Sequence, residues 1–70
     1  MNNKFPERLK ELRIRKGLSH TQLSEALDKK ISSSAIGYWE LGKRIPNIEA
    51  AMLLAEYFCV SLDYLTGMED

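Results

Sequence analysis

The side chains best suited to bond-making chemistry are scarce. The 70-residue chain has one His, His20, and one Cys, Cys59. A lone His and a lone Cys cannot complete a structural metal site, which takes four ligands, and one Cys closes no intramolecular disulfide. No second His accompanies His20, no two carboxylates fall on one expected face, and no Gly-rich loop is present to cradle a phosphate. Cys59 has no base near it in sequence, so an inert thiol, buried or half-buried at a helix end, is the expectation for it. These absences argue against an enzyme, and nothing here implies a metal, a cofactor or a small-molecule ligand.

What the chain holds in quantity is charge. It has 10 Lys plus Arg and 10 Asp plus Glu, a formal net charge of zero. That zero covers two unequal segments. Residues 1–47 hold all ten bases and five acids (Glu7, Glu11, Glu25, Asp28, Glu40), a surplus of five positive charges. Residues 48–70 hold no base and five acids (Glu49, Glu56, Asp63, Glu69, Asp70), a surplus of five negative charges. Such an asymmetry can mark a basic surface turned toward a partner, with an acidic remainder. The plainer alternative is solvated helix faces charged by chance.

The elements that must position these charges read as helices. With 44% hydrophobic and 29% charged residues, disorder is disfavoured. A chain this short is one domain that buries about 60–65% of its unfolded surface. The longest apolar run is the six residues from Ala50 to Ala55, too short for a membrane span or a signal segment, so a cytoplasmic protein without a membrane partner is expected. No run alternates polar and apolar residues with period two. Phe5, Leu9 and Leu12 follow helical spacing, with Pro6 suited to a first turn, giving a helix over about 5–16 stopped by Gly17. Ser19 and Gln22 form a capping box that opens a second helix, 20–28, with Leu23, Ala26 and Leu27 inward. Ser32 caps a third, 33–41, with Gly42 as its left-handed end. Pro46 disfavours helix at Ile45, making 43–46 a loop. Asn47 caps a fourth helix, 48–58, whose buried stripe is expected to be Ile48, Ala51, Met52, Leu54, Ala55 and Phe58. Ser61 caps a last helix, 62–66, ended by Gly67. The fold class is all-α.

Two short helices joined by a turn, the second opening on small polar residues, form a helix-turn-helix arrangement at about 19–42, a weak signal alone. The surrounding order sharpens it. Gly17-Leu18-Ser19, Leu23, Leu27, Ile36, Glu40-x-Gly42-Lys43-Arg44-x-Pro46 and Val60-Ser61-Leu62-x-x-Leu65 together resemble the Cro/CI-like, or XRE, family of helix-turn-helix regulators over residues 5–67. The resemblance implies a compact five-helix, lambda-repressor-like DNA-binding domain and double-stranded DNA as partner. It also implies that Glu40 pairs with Arg13, fixing the third helix against the first. Three departures stand out. His20 replaces the Gln usual at the start of the second helix. The turn from Leu27 to Ile36 is two residues longer than common, which leaves the angle between helices open. Cys59 stands where Gly or Asn commonly ends the fourth helix, implying strain if its φ is positive.

On this reading the base-reading positions are Ser33, Ser34, Gly37 and Tyr38, at the end of the third helix that enters the major groove. Serine hydroxyls donate or accept, and Gly37 permits close approach. Tyr38 offers a hydroxyl, a face for a thymine methyl, or partial burial. With no Gln, Asn or Arg on this face, DNA shape carries part of the specificity. Lys43 and Arg44, with His20, Thr21 and Asn47, are the expected backbone contacts, although Lys43 and Arg44 would also suit a helix C-terminus. Lys29 and Lys30 read as solvated turn charges. Leu53 and Tyr57, with Ala50, form a second apolar row on helix 4 that marks either a homodimer surface or a wider core face.

The function these features imply is a sequence-specific transcriptional regulator, of the prophage-repressor type, binding a palindromic operator as a dimer. The antitoxin of a toxin–antitoxin pair, and a protein-interaction module on the same fold, are the alternatives.

Overall fold

A computed structural model describes residues 4–67. Five helices follow one another: α1 (Phe5–Arg15), α2 (His20–Ala26), α3 (Ser33–Glu40), α4 (Ile48–Phe58) and α5 (Leu62–Thr66). No strand occurs among the described residues.

Each of the last four helices starts at a side-chain cap. Ser19, Ser32, Asn47 and Ser61 accept the backbone N–H three residues on, at 3.0, 3.1, 2.8 and 3.0 Å. Such a cap satisfies one orphan donor and stabilises a helix by about 1 kcal/mol. Gln22 completes the capping box by accepting from the Ser19 N–H at 2.8 Å. Helix ends are equally regular. After α1, Gly17 N–H donates to Ile14 and Leu18 N–H to Arg13; the same two-bond pattern follows α2, α3 and α4. It requires a left-handed residue, which is glycine at two ends (Gly17, Gly42) but Asp28 (φ 56) and Cys59 (φ 58) at the other two. A non-glycine residue there costs about 1 kcal/mol or more.

The core is one cluster contributed by every helix, centred on the fully buried Leu9, Leu23, Ile36, Leu54 and Leu65. Phe5 meets the edge of Trp39, centroids 6.2 Å apart. α1 packs on α3 and α5, α2 on α3, and α4 on α5. Thus α3 is held from behind by two helices, and its remaining face is left to solvent.

Several sequence expectations need correction. α2 ends at Ala26, not near 28, because the Schellman bonds of Asp28 and Lys29 turn the chain. Ala26 is exposed, and Ser24 is buried in its stead, its hydroxyl donating to the Ile31 carbonyl at 2.6 Å. Ile48 and Met52 are 61% and 57% exposed. The buried face of α4 is Ala51, Leu54, Ala55 and Phe58, a stripe at i, i+3, i+4, i+7. Cys59 is exposed, since the left-handed turn that ends α4 carries its side chain out of the core.

Candidate nucleic-acid interface

The burial of Ile36 and Trp39 fixes which side of α3 faces outward. Ser34 and Tyr38, four residues apart, form an exposed ridge on that side, with Tyr38 46% exposed. Ser33 and Gly37 are half-buried beside it. A Cβ on Gly37 would meet nothing within 4 Å, so the surface there is open to a partner approaching closely.

Grooves flank this ridge on both sides. The first runs between α3 and the start of α2 and is lined by His20, Thr21, Ser33 and Gly37. The second runs between α3, the turn before it and the loop after it, and is lined by Lys29, Lys30, Arg44 and Asn47. Ser34 and Tyr38 border both. The structure therefore brings the sequence-selected residues to one face, with the exception of Lys43, which is exposed on the adjoining loop and lines neither groove.

That loop is placed by the end of α3. Gly42 N–H donates to Trp39 and Lys43 N–H to Tyr38, at 3.1 and 3.0 Å, with Gly42 at φ 75. The turn directs Lys43-Arg44 back along the helix, and the Arg44 guanidinium carbon comes 5.6 Å from the Tyr38 ring centroid. A cation over an aromatic face is held there without losing its charge to a carboxylate.

Behind the ridge, Arg13 and His20 converge on the Glu40 carboxylate. Arg13 donates from Nε to Glu40 Oε2 at 2.7 Å and from Nη2 to Oε1 at 3.0 Å. Its Nη1 donates to the Leu18 carbonyl at 2.7 Å. His20 Nε2 faces Glu40 Oε1 at 3.2 Å. The Glu40 side chain is 5% exposed. Burial pushes its carboxyl upward, but the Arg13 and His20 contacts outweigh that and hold it below its ordinary value of 4.5. Hydrogen bonding to Glu40 raises the Arg13 guanidinium in turn. Glu40 thereby ties α1, the start of α2 and the end of α3 together.

Some structural features had no sequence signal that could reveal them. The His20–Glu40 contact crosses 20 positions with no periodicity to mark it. The Ser24 hydroxyl finds its acceptor, the Ile31 carbonyl, only once the turn has folded beside it. Arg8 donates to the Tyr64 carbonyl and lies 4.2 Å from the Tyr64 ring centroid, fastening α1 to α5.

On α4, Leu53 and Tyr57 are half-buried and pack against the core, and Lys16 Nζ lies 5.0 Å from the Tyr57 ring centroid. The most exposed apolar side chains nearby are Ile45, Ile48 and Met52, 73%, 61% and 57% exposed.

Comparison with known proteins agrees with this geometry. A helix-turn-helix family model matches residues 9–65. The chain is 39% identical over 66 residues to the HTH-type transcriptional activator BcrR of Enterococcus faecalis, an alignment covering 94% of this chain and 31% of that protein. It is 33% identical over 66 residues to the uncharacterized HTH-type transcriptional regulator YobD of Bacillus subtilis (strain 168), covering 94% of this chain and 57% of that protein. The chain thus spans from about a third to just over half of the length of these relatives. No solved structure matches it significantly. No described helix is long and apolar enough to cross a membrane. With five helices, a capped α3 presented outward and a family match over most of its length, the chain belongs to the XRE family of helix-turn-helix domains.

Proposed function

We propose that this protein binds a palindromic operator as a homodimer, inserting the N-terminal part of α3 into the major groove and regulating transcription by occluding a promoter. The observation that carries this reading is the Ser34–Tyr38 ridge with a groove on either side. A helix seated in the major groove has one sugar-phosphate strand on each flank. His20 and Thr21 stand on one flank, Arg44 and Asn47 on the other, with Lys43 on the adjoining loop, as the backbone contacts that set register. Ser33, Ser34, Gly37 and Tyr38 read base edges between them. Their hydroxyls and open backbone discriminate weakly, so sequence-dependent DNA shape supplies part of the selectivity.

Dimerisation uses the outer side of α4 and its approach. Ile45, Ile48 and Met52 are the exposed apolar side chains that support it; Leu53 and Tyr57, half-buried on the other side of Glu49 and Glu56, are the second candidate row. Because one relative is named as a transcriptional activator, activation is the second reading of the regulatory sign. A reporter driven by the bound promoter separates the two: repression lowers its output and activation raises it.

Fluorescence anisotropy with duplex DNA across a salt series tests the reading. Affinity falls linearly on logarithmic axes as salt rises if phosphate contacts hold the complex. Absence of binding at low salt overturns it, and leaves a protein-interaction module on this fold.

A further inference from the structure

We propose that the lengthened turn between α2 and α3 is an additional phosphate-contacting element, in which Lys29 and Lys30 engage the DNA strand that Arg44 and Asn47 flank. The proposal rests on the DNA-binding reading above and names a contact beyond the recognition helix and the loop after it.

The turn is built to hold a shape. Asp28 N–H donates to Glu25 at 3.0 Å, Lys29 N–H to Ser24 at 2.8 Å and Lys30 N–H to Leu27 at 3.1 Å. The buried Ser24 hydroxyl donates to the Ile31 carbonyl at 2.6 Å, and Ile31 itself sits in the core. Both lysines are exposed on this fixed turn, and neither makes an ion pair among the described residues.

Lys29 also occupies a left-handed conformation, φ 60, immediately after Asp28 at φ 56. Glycine would take that conformation without the steric cost a Cβ brings there. Asp28 and Cys59 share this conformation, so what distinguishes Lys29 is its ammonium group and its place on the groove.

Position supplies the partner. Lys29 and Lys30 line the same groove as Arg44 and Asn47, and Ser34 and Tyr38 of the reading ridge border it. An ammonium on that rim meets the strand that the loop side of α3 faces, and not the strand beside His20 and Thr21. Acids also stand near the turn: Glu25 is exposed on the last turn of α2, and Asp28 and Glu56 share a second depression with Lys30 on the α4 side. Lys29 lines the groove toward the ridge, whereas Lys30 is shared with the depression beside Glu56, so Lys29 contributes the larger share.

Lys29→Gly removes the charge and relieves the strained backbone, so a loss of binding cannot be laid to misfolding. We would measure thermal unfolding and the salt dependence of binding to a mixed-sequence duplex for the unaltered protein, Lys29→Gly, Lys29→Gly/Lys30→Gln, and Lys10→Gln, the last an exposed lysine on α1 away from both grooves. The expected result is unchanged or higher stability for Lys29→Gly, with a salt slope shallower by about one and weaker binding on every sequence. The double variant lowers the slope further, and Lys10→Gln leaves it alone. If the unaltered protein binds and the turn variants keep its slope and affinity, or if Lys10→Gln lowers both equally, the proposal is overturned while the DNA-binding reading stands. If the unaltered protein binds no duplex, both fall.

Discussion

Arg13 grips both oxygens of the Glu40 carboxylate, at 2.7 and 3.0 Å, from a residue 27 positions earlier in the chain. The pair joins α1 to the end of α3 just before the loop that carries Lys43 and Arg44. Its worth lies in orientation. Desolvating two charges offsets most of their attraction, so such a pair adds little net stability, whereas losing one partner strands the other. The third arm, to His20, extends this control to the first residue of α2. One carboxylate therefore sets the relative placement of both flanks of the reading ridge.

Removing either partner should be costly. Glu40→Gln or Arg13→Met is expected to lower unfolding free energy by about 3 kcal/mol and to weaken DNA binding beyond what the stability loss explains. Urea unfolding and anisotropy measured under conditions where each variant is folded check this. If Arg13→Met leaves fold and affinity unchanged, the pair has no positioning role.

The same pair gives the fold an acid sensitivity. The Glu40 carboxyl is held below its ordinary value of 4.5 in the folded state, so it binds protons more weakly there than in the unfolded chain. Its contribution is fully present above 4.5 and is lost as pH falls through the depressed folded value. Stability of the unaltered protein should decline in that window, and Glu40→Gln should show a flatter profile across it. Parallel profiles for the two proteins would contradict this assignment.

Reading and anchoring residues should separate by their signatures. Ser34→Ala is expected to relax preference at one base position by less than the ~1–3 kcal/mol of a bidentate contact, while leaving the salt slope unchanged. Lys43→Gln is expected to weaken all duplexes alike and to reduce the salt slope by about one. Competition binding against single-base variants of the site distinguishes these outcomes.

The dimer surface is testable by charge. Met52→Lys should shift the protein toward monomer in sedimentation, because Met52 is exposed and needs no room in the core. Leu53→Lys tests the separate half-buried row with Tyr57 and should also lower stability, because Leu53 packs against the core. Unchanged self-association in both variants removes α4 from the interface.

Much of the architecture was legible because local chemistry and global fold agree. Ser19, Ser32, Asn47 and Ser61 each announce a helix start by side-chain type, and each is a working cap. Gly17, Gly42 and Gly67 announce ends, and all three have positive φ. The apolar run from Ala50 to Ala55 was less informative, since six consecutive apolar residues leave the buried face of a helix undetermined. Packing chose Ala51, Leu54, Ala55 and Phe58, and turned Ile48 and Met52 outward. The end of α2 was misplaced because Asp28 and Lys29 adopt a conformation usually signalled by glycine. On the candidate face, residue types marked Ser34 and Tyr38 with the flanking His20, Thr21, Arg44 and Asn47, which the fold brings together. The His20–Glu40 contact and the groove position of Lys29 depend on tertiary placement that no spacing encodes.

The central claim is that α3 reads duplex DNA in a specific sequence. In vitro selection of bound duplexes from a random pool tests it most directly. The account predicts enrichment of a palindromic site, with half-sites about one helical turn apart, centre to centre, and with binding that weakens steeply as salt rises. A pool that stays random after selection at low salt would contradict it.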